Sequence, residues 1–346
     1  MKILILILSM FCLSEFAYGA IGEIEKIDGI VLYRENKATA YKKAKAGLTI
    51  NAGYFIKTEP KSWTVIKLID GSKFTLSENT ELEISEYLLE KNKKNGVFYV
   101  TQGKLRATVV KLTGQATNYK VKTPTAVAGI KGTEFLMLTK GLANVFFGNE
   151  NSVYIAGHDT EEKTLTPDTM IQNTRGLKPT EPVKVESGTL LDDAKKALSM
   201  LTAATPPKEW EISGALPDII ARWNINYGHY LADAGKYEEA LYVFQIALDL
   251  SDKPEIRADA RLERGTVYSR FLRNSEAALA EYLLILEEYP DILQKETALY
   301  LTGMTLYELG LKAQAKERLY QYKKIYPEGK YITNVETILK LLENEN

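Results

Sequence analysis

The sequence has few side chains suited to redox chemistry or metal binding. It holds one cysteine, Cys12, and two histidines, His158 and His229, in 346 residues. A single thiol forms no internal disulfide and supplies no thiolate cluster. The two histidines are too far apart in sequence to form a local metal motif. An excess of one charge is also missing, since 44 Lys+Arg stand against 45 Asp+Glu. Nucleic-acid binders usually show a basic excess, so nothing here supports that class. No phosphate-cradling Gly-x-x-x-x-Gly-Lys-Ser/Thr, His-Glu-x-x-His, Gly-x-Ser-x-Gly or EF-hand loop occurs. The acidic pairs Asp192-Asp193, Glu238-Glu239 and Glu287-Glu288 sit in helical patterns and read as solvated faces. The expectation is therefore a non-enzymatic protein with no cofactor and no metal site.

What is present is ordinary globular composition, with 45% hydrophobic and 26% charged residues. The length suggests two domains, each able to bury a core. The near-neutral total hides an asymmetry. Residues 20–187 carry 24 basic and 19 acidic side chains, while residues 188–346 carry 19 basic and 25 acidic. Either both surfaces are simply solvated, or the two parts attract each other or different partners.

Residues 1–19 read as a secretory signal peptide. Lys2 precedes the apolar run Ile3–Leu13, and Ala17 and Gly19 supply small residues at -3 and -1. The run is shorter than the roughly 20 residues of a membrane helix. Cys12 follows Phe11, where a lipobox needs a small residue. These features predict cleavage after Gly19, a periplasmic or secreted protein and no membrane span in the mature chain. Cysteine-free secretion suits a bacterial periplasm.

Residues 20–160 read as a β domain. Leu82 and Ile84 alternate with charged neighbours, as do Leu105, Ala107 and Val109, then Tyr119 and Val121. Period two with one apolar face marks half-buried strands. Asp70-Gly71 and Asn95-Gly96 supply turn signals. Many short strands argue for a sandwich, barrel or solenoid, and periodicity does not choose among them. Residues 161–187 are polar, with Pro167, Pro179 and Pro182, and read as terminal strands and a linker.

Two stretches carry a family resemblance. The first is Ile56-Lys57-Thr58 with Ser62–Ser72. The second runs from Gly103-Lys104-Leu105-Arg106-Ala107 to Thr123-Pro124-Thr125-Ala126 and Lys131-Gly132-Thr133-Glu134-Phe135. Together they resemble a FecR domain, whose hallmark is Thr-Pro-x-Ala leading to a basic residue and Gly-Thr-x-Phe. Lys131 stands where that family more often has Arg. In this reading Gly129 and Gly132 permit tight bends or close backbone approach. Pro124 belongs at a strand start or edge. Thr58, Thr123 and Thr133 tie turns through their hydroxyls. The alternative is that Lys131 and Glu134 are displayed for recognition. FecR domains occur in periplasmic parts of signal-relaying regulators and in envelope proteins with repeats. Here a leader runs almost directly into the β domain, which favours the second arrangement.

Residues 188–216 read as a connecting helix, and residues 217–329 repeat. Gly228, Gly265 and Gly303 recur with Ala240, Ala278 and Ala315, and Tyr289-Pro290 and Tyr326-Pro327 close units. Small residues so spaced predict helix pairs meeting face to face at those positions. The second unit has one extra residue near Arg273-Asn274. The pattern resembles the tetratricopeptide repeat, whose period is 34. Residues 330–346 would be a capping helix. The fold class is thus an all-β FecR-like domain followed by an all-α helical repeat.

The repeat resemblance implies a concave groove on the first helices. It would hold Arg222, Ile225, His229 and Asp233, then Asp259, Leu262, Thr266, Ser269 and Arg270. Thr297, Tyr300, Met304, Tyr307 and Glu308 would complete it. Mixed aromatic and charged residues suit a peptide or partner helix. The function expected is an envelope scaffold or adaptor whose partners are envelope proteins or peptide segments. The alternative is a glycan (peptidoglycan)-binding or signal-sensing envelope protein.

Overall fold

The computed structural model describes residues 19–111 and 116–344. The predicted leader therefore lies outside the described residues apart from Gly19. Among the described residues, no helix is long and apolar enough to cross a membrane.

Among the described residues, seventeen strands form two sheets. One sheet runs β4 (Thr49–Ile50), β1 (Gly22–Asp28), β6 (Trp63–Leu68), β7 (Lys73–Leu76), then the second half of β9 (Lys93–Thr108). It continues with β12 (Glu134–Lys140), β13 (Ala143–Glu150), β16 (Thr169–Thr174) and β17 (Val183–Lys184). The other runs β3 (Lys42–Lys43), β2 (Val31–Arg34), β5 (Phe55–Thr58), β8 (Glu81–Leu89), then the first half of β9. It ends with β10 (Ala116–Lys122), β11 (Val127–Ile130), β14 (Val153–Ala156) and β15 (Lys163–Leu165). Strand β9 thus belongs to both sheets. It changes sheet near Gly103, whose φ of +117° a side chain would rarely adopt.

The sheets pack face to face, so the sequence alternatives resolve to a sandwich. Phe74 of one sheet meets Phe98 of the other at 4.2 Å between ring centroids. Alternation then assigns each side chain to a layer. On β12, Phe135 and Met137 enter the sandwich core, while Leu136 and Leu138 point to the opposite face. That second face is covered by helices, so β12 and β13 are buried on both sides and read as continuous apolar runs.

The helices are α1 (Leu190–Leu201), α2 (Glu211–Asp233), α3 (Tyr237–Leu250), α4 (Pro254–Thr266), α5 (Ser275–Glu288), α6 (Lys295–Glu308), α7 (Lys312–Ile325) and α8 (Ile332–Asn344). Thr189 caps α1 by accepting from the Asp192 N–H, and Asp192 and Asp193 face the positive end of the helix. Pro217 lies inside α2, so the repeat helix begins six residues before it, at Glu211. The extra residue of the second unit is absorbed by a π-helical turn, Val267–Phe271, at the end of α4. Arg273 then adopts a positive φ of 53°, and Asn274 caps α5.

The helix pairs depart from the sequence reading in one respect. The atoms nearest each glycine belong to a larger side chain, not to the alanine. A Cβ at Gly228 would lie 2.4 Å from the Phe244 ring, at Gly265 2.3 Å from Tyr282, and at Gly303 2.6 Å from Leu319. Each glycine is a socket for a large side chain, two aromatic rings and Leu319, one turn beyond the buried alanine.

Candidate functional site

Most of the FecR-like motif is structural. Thr123 Oγ1 accepts from the N–H groups of Thr125 (3.2 Å) and Ala126 (2.9 Å), closing the turn that contains Pro124 before β11. Thr133 Oγ1 donates to the Glu150 carbonyl, and its backbone pairs with Val109. Phe135 is fully buried in the sandwich. Gly132 is required, since φ is +107° and a Cβ would meet Lys111 Cβ at 2.6 Å. Gly129 is not, because a Cβ there finds only ordinary contacts from 3.7 Å. Lys131 is exposed, with Nζ 5.0 Å from the Tyr154 ring centroid. Glu134 is not displayed. It accepts from Arg106 (2.7 Å), Thr108 (2.9 Å) and Asn149 (2.9 Å).

A buried polar cluster joins the two sheets, and the sequence reading missed it. Lys94 and Asp70 form an ion pair with both side chains fully buried. Asp70 also accepts from Ser72 N (3.0 Å), Ser72 Oγ (2.8 Å) and Tyr119 OH (2.9 Å). Lys94 donates to the Val110 carbonyl at 2.6 Å. Burial alone would raise the Asp70 carboxyl, but hydrogen bonds from Lys94 and Ser72 hold it below the ordinary carboxylate value. Burial, then Tyr87 and Asp70, push the Tyr119 phenol above its ordinary range. In sequence these residues look like a turn aspartate, a loop lysine and a strand tyrosine.

Residues 161–187 are part of the body. Strand β16 is buried, and its polar residues are partnered: Asn173 with Asn144 (3.0 Å) and the Thr125 carbonyl (2.8 Å), Gln172 with Asn224 of α2. Arg175 meets Asp249 of α3 through two bonds of 2.9 Å, and Thr174 Oγ1 donates to the same carboxylate at 2.6 Å. Burial opposes the Asp249 charge, but Arg175 and Thr174 outweigh it and hold the carboxyl below its ordinary value. Lys140 pairs with Asp252 at 2.6 Å. These basic-to-acidic pairs follow the charge asymmetry of the sequence, while Asp168–Lys195 at 2.7 Å runs the other way.

The carbonyl end of α1 is also held by the sandwich. Arg106 donates to the Thr202 carbonyl (2.9 Å) and the Ser199 carbonyl (2.8 Å), and Trp63 Nε1 to the Ala203 carbonyl (3.1 Å). Positive charge there satisfies unpaired carbonyls and the negative end of the helix. Leu136, Val145, Phe147, Leu198, Ile220 and Ile246 share one apolar cluster across the junction.

The predicted groove residues fall into two groups. Arg222, His229, Asp233 and Arg270 are exposed. A hollow of about 290 Å³ between α2 and α4 is lined by Arg222, Ile225, Asn226, Asp259, Leu262 and Glu263, with Leu190 at its edge. His229 Nδ1 lies 3.2 Å from Glu263, and Nε2 lies 3.6 Å from Asp233. The Glu263 hydrogen bond and charge raise the His229 pKa above its ordinary value. Tyr300, Met304 and Tyr307 are only partly exposed. Tyr300 stacks on Tyr331 at 4.2 Å and 2°, and accepts from Asn334 of α8 at 3.3 Å. Tyr307 packs against the apolar cluster that α6, α7 and α8 share. The open groove therefore lies between α2 and α4, and α8 covers its far end. Among the described residues, no group of three or more His, Cys, Asp or Glu is placed to hold a metal ion.

Residues 54–153 match the family model described as FecR protein. That FecR segment contains β5 to β13 and Asp70, Lys94 and Tyr119. No curated protein matches the chain. Solved structures with a similar course include a protein described as an anti-sigma factor from Parabacteroides distasonis. It has 16% identity and a TM-score of 0.31, and the match covers 38% of this chain and 58% of that one. The type III secretion chaperone SycD of Yersinia enterocolitica, with a YopD peptide, has 18% identity and a TM-score of 0.32, covering 36% and 92%. The first TPR domain of human RPAP3 has 19% identity and a TM-score of 0.31, covering 38% and 99%. The chain spans a little over half the length of the anti-sigma factor.

Proposed function

We propose that this protein is a non-enzymatic adaptor of the bacterial cell envelope, secreted by cleavage after Gly19. Its FecR segment and helical repeats act as one body, and the α2–α4 groove takes a peptide segment of a partner protein. The observation that carries the reading is the groove itself. It is lined by Ile225 and Leu262 together with Arg222 of α2 and Asp259 and Glu263 of α4. A lining of apolar side chains with charges of both signs suits an extended or helical peptide. The shared core beneath α1, α2 and α3 supports a fixed relation between the sandwich and this groove.

The test is capture from crosslinked cells with the wild-type chain and with Arg222→Glu/Glu263→Lys. The adaptor reading expects a defined partner with wild type and its loss with the variant. The same partners at equal yield from both would reject the groove.

A second reading is glycan binding. Tyr230 is 66% exposed and stacks on Tyr227 with centroids 6.3 Å apart, which offers a flat apolar surface to a sugar ring. Sedimentation with purified peptidoglycan, lost on Tyr230→Ala, would favour it.

A further inference from the structure

Strand β8 outruns one of its neighbours. On one side it pairs with β9 along its whole length, from Glu81 to Leu89. On the other side β5 pairs with it only from Glu81 to Glu83. Ile84 then bonds Gly53 N (2.7 Å) and the Tyr54 carbonyl (2.9 Å), and the chain bends at Gly53, whose φ is +89°. A register shift between Ile84 and Glu86 places a bulge where this cover stops. The ladder beyond the bulge decides which backbone groups are left over. The Glu90 N–H bonds the Lys93 carbonyl at 2.8 Å, so Leu88 and Glu86, two and four residues back, also bond toward β9. The N–H and C=O groups of Tyr87 and Leu89 therefore point away from β9. Among the described residues, no strand pairs with them on that side and no backbone group bonds them there. A hollow of about 530 Å³ lies against this edge, lined by Ala52, Gly53, residues 85–88 and Asn95. The strands that end the two sheets, β3, β4, β15 and β17, are only two or three residues long, which limits pairing with other chains. The open stretch of β8 is longer and faces a concavity.

We propose that an extended segment of a partner protein adds to the sheet along residues 85–89, with a basic side chain opposite Glu86 and an apolar one opposite Leu88. It runs antiparallel to β8, as both existing neighbours do. Main-chain bonds to Tyr87 and Leu89 hold the segment, and its side chains on the outer face select it. Glu86 and Leu88 share that face, because Tyr87 between them is buried in the sandwich. Leu88 is 43% exposed. Earlier in the strand, Glu81 lies 3.8 Å from Arg34 and Glu83 lies 3.6 Å from Lys37, whereas among the described residues Glu86 has no ion pair. Two copies paired through this edge about Tyr87 would set each Glu86 opposite a leucine and leave both carboxylates without a cation. The charge therefore favours a basic segment over a second copy. The site shares no residue with the α2–α4 groove and does not depend on what that groove binds.

Fluorescence polarisation of a labelled peptide, Gly-Thr-Val-Thr-Lys-Thr-Gly, with the purified chain tests this. Its central threonine falls opposite Tyr87, its valine opposite Leu88 and its lysine opposite Glu86. Saturable binding at about 1 mM or tighter is expected. N-methylation of the central threonine removes the donor to the Tyr87 carbonyl and should weaken binding by about tenfold or more. Glu86→Lys should weaken it as well, and a peptide with glutamate in place of lysine should bind that variant better than the original peptide does. Leu89→Pro removes an N–H that the sheet does not use, so this variant should fold and bind more weakly. If it does not fold, the N-methylated peptide decides. No saturable binding to the wild-type chain, or equal binding of the N-methylated peptide, overturns the site. A wild-type chain that sediments as a dimer, and as a monomer with Leu89→Pro, would put a second copy on this edge and overturn the peptide reading too.

Discussion

Gln172 of β16 and Asn224 of α2 bond each other through their side-chain amides in both directions, and both are buried. The pair lies between the sandwich and the first repeat helix, so the Gln172 amide is satisfied only while the two layers stay together, whereas Asn224 also donates to the Ile220 carbonyl of its own helix at 3.1 Å. Asn224→Ala strands the Gln172 amide, at a cost of about 1–3 kcal/mol. Gln172→Leu/Asn224→Leu removes both polar groups and should cost less than the single change. Denaturant unfolding of the three proteins checks the ordering. A double variant less stable than the single one would contradict it.

The Asp70–Lys94 pair makes a similar prediction with charge. Asp70→Ala leaves the Lys94 ammonium buried without its partner, which should destabilise the chain by about 3–5 kcal/mol. Asp70→Leu/Lys94→Met removes both charges and should recover much of that loss. Urea midpoints for both variants give the comparison.

The glycine sockets predict overpacking. At Gly303 a Cβ would already sit 2.6 Å from Leu319, so Gly303→Leu should cost about 1–3 kcal/mol. Gly303→Leu/Leu319→Ala should restore part of it by emptying the socket. Thermal unfolding identical to wild type for the first variant would rule out the packing.

His229 predicts a pH response in the groove. Its pKa lies above the ordinary histidine value because Glu263, then Asp233, favours the protonated ring. A raised folded-state value means that the contact with Glu263 is fully present at lower pH and is lost as pH rises through the folded pKa. Glu263→Gln should bring the His229 pKa down. Proton NMR titration of the ring reads both values, and an unchanged pKa in the variant would deny the pairing.

The fold was legible where the chain repeats a period or a spacing. Alternation gave the strands of the FecR segment, and registered glycines gave the helix pairs. Partners remote in sequence were not legible. Nothing local says that Asp70 meets Lys94 and Tyr119, because an Asp-Gly turn serves equally well without them. Residues 161–187 were readable as terminal strands, but the burial of β16 was not, because Gln172, Asn173 and Thr174 are polar and their partners are Asn224, Asn144, the Thr125 carbonyl and the Asp249 carboxylate. The groove was readable as helix positions, yet Tyr300 could not be known to stack on Tyr331 until the course of α8 was seen. Lys104 reads as an ordinary outward lysine in an alternating strand.

The central claim is that the α2–α4 groove engages a partner chain. Photo-crosslinking in living cells, with the reactive group at Asn226 in the groove or at Lys120 on the far sheet, tests it most directly. The account predicts a discrete crosslinked protein from position 226 that is absent from position 120 and lost when Arg222→Glu is added. Equal crosslinking from both positions, or none from position 226, would contradict it.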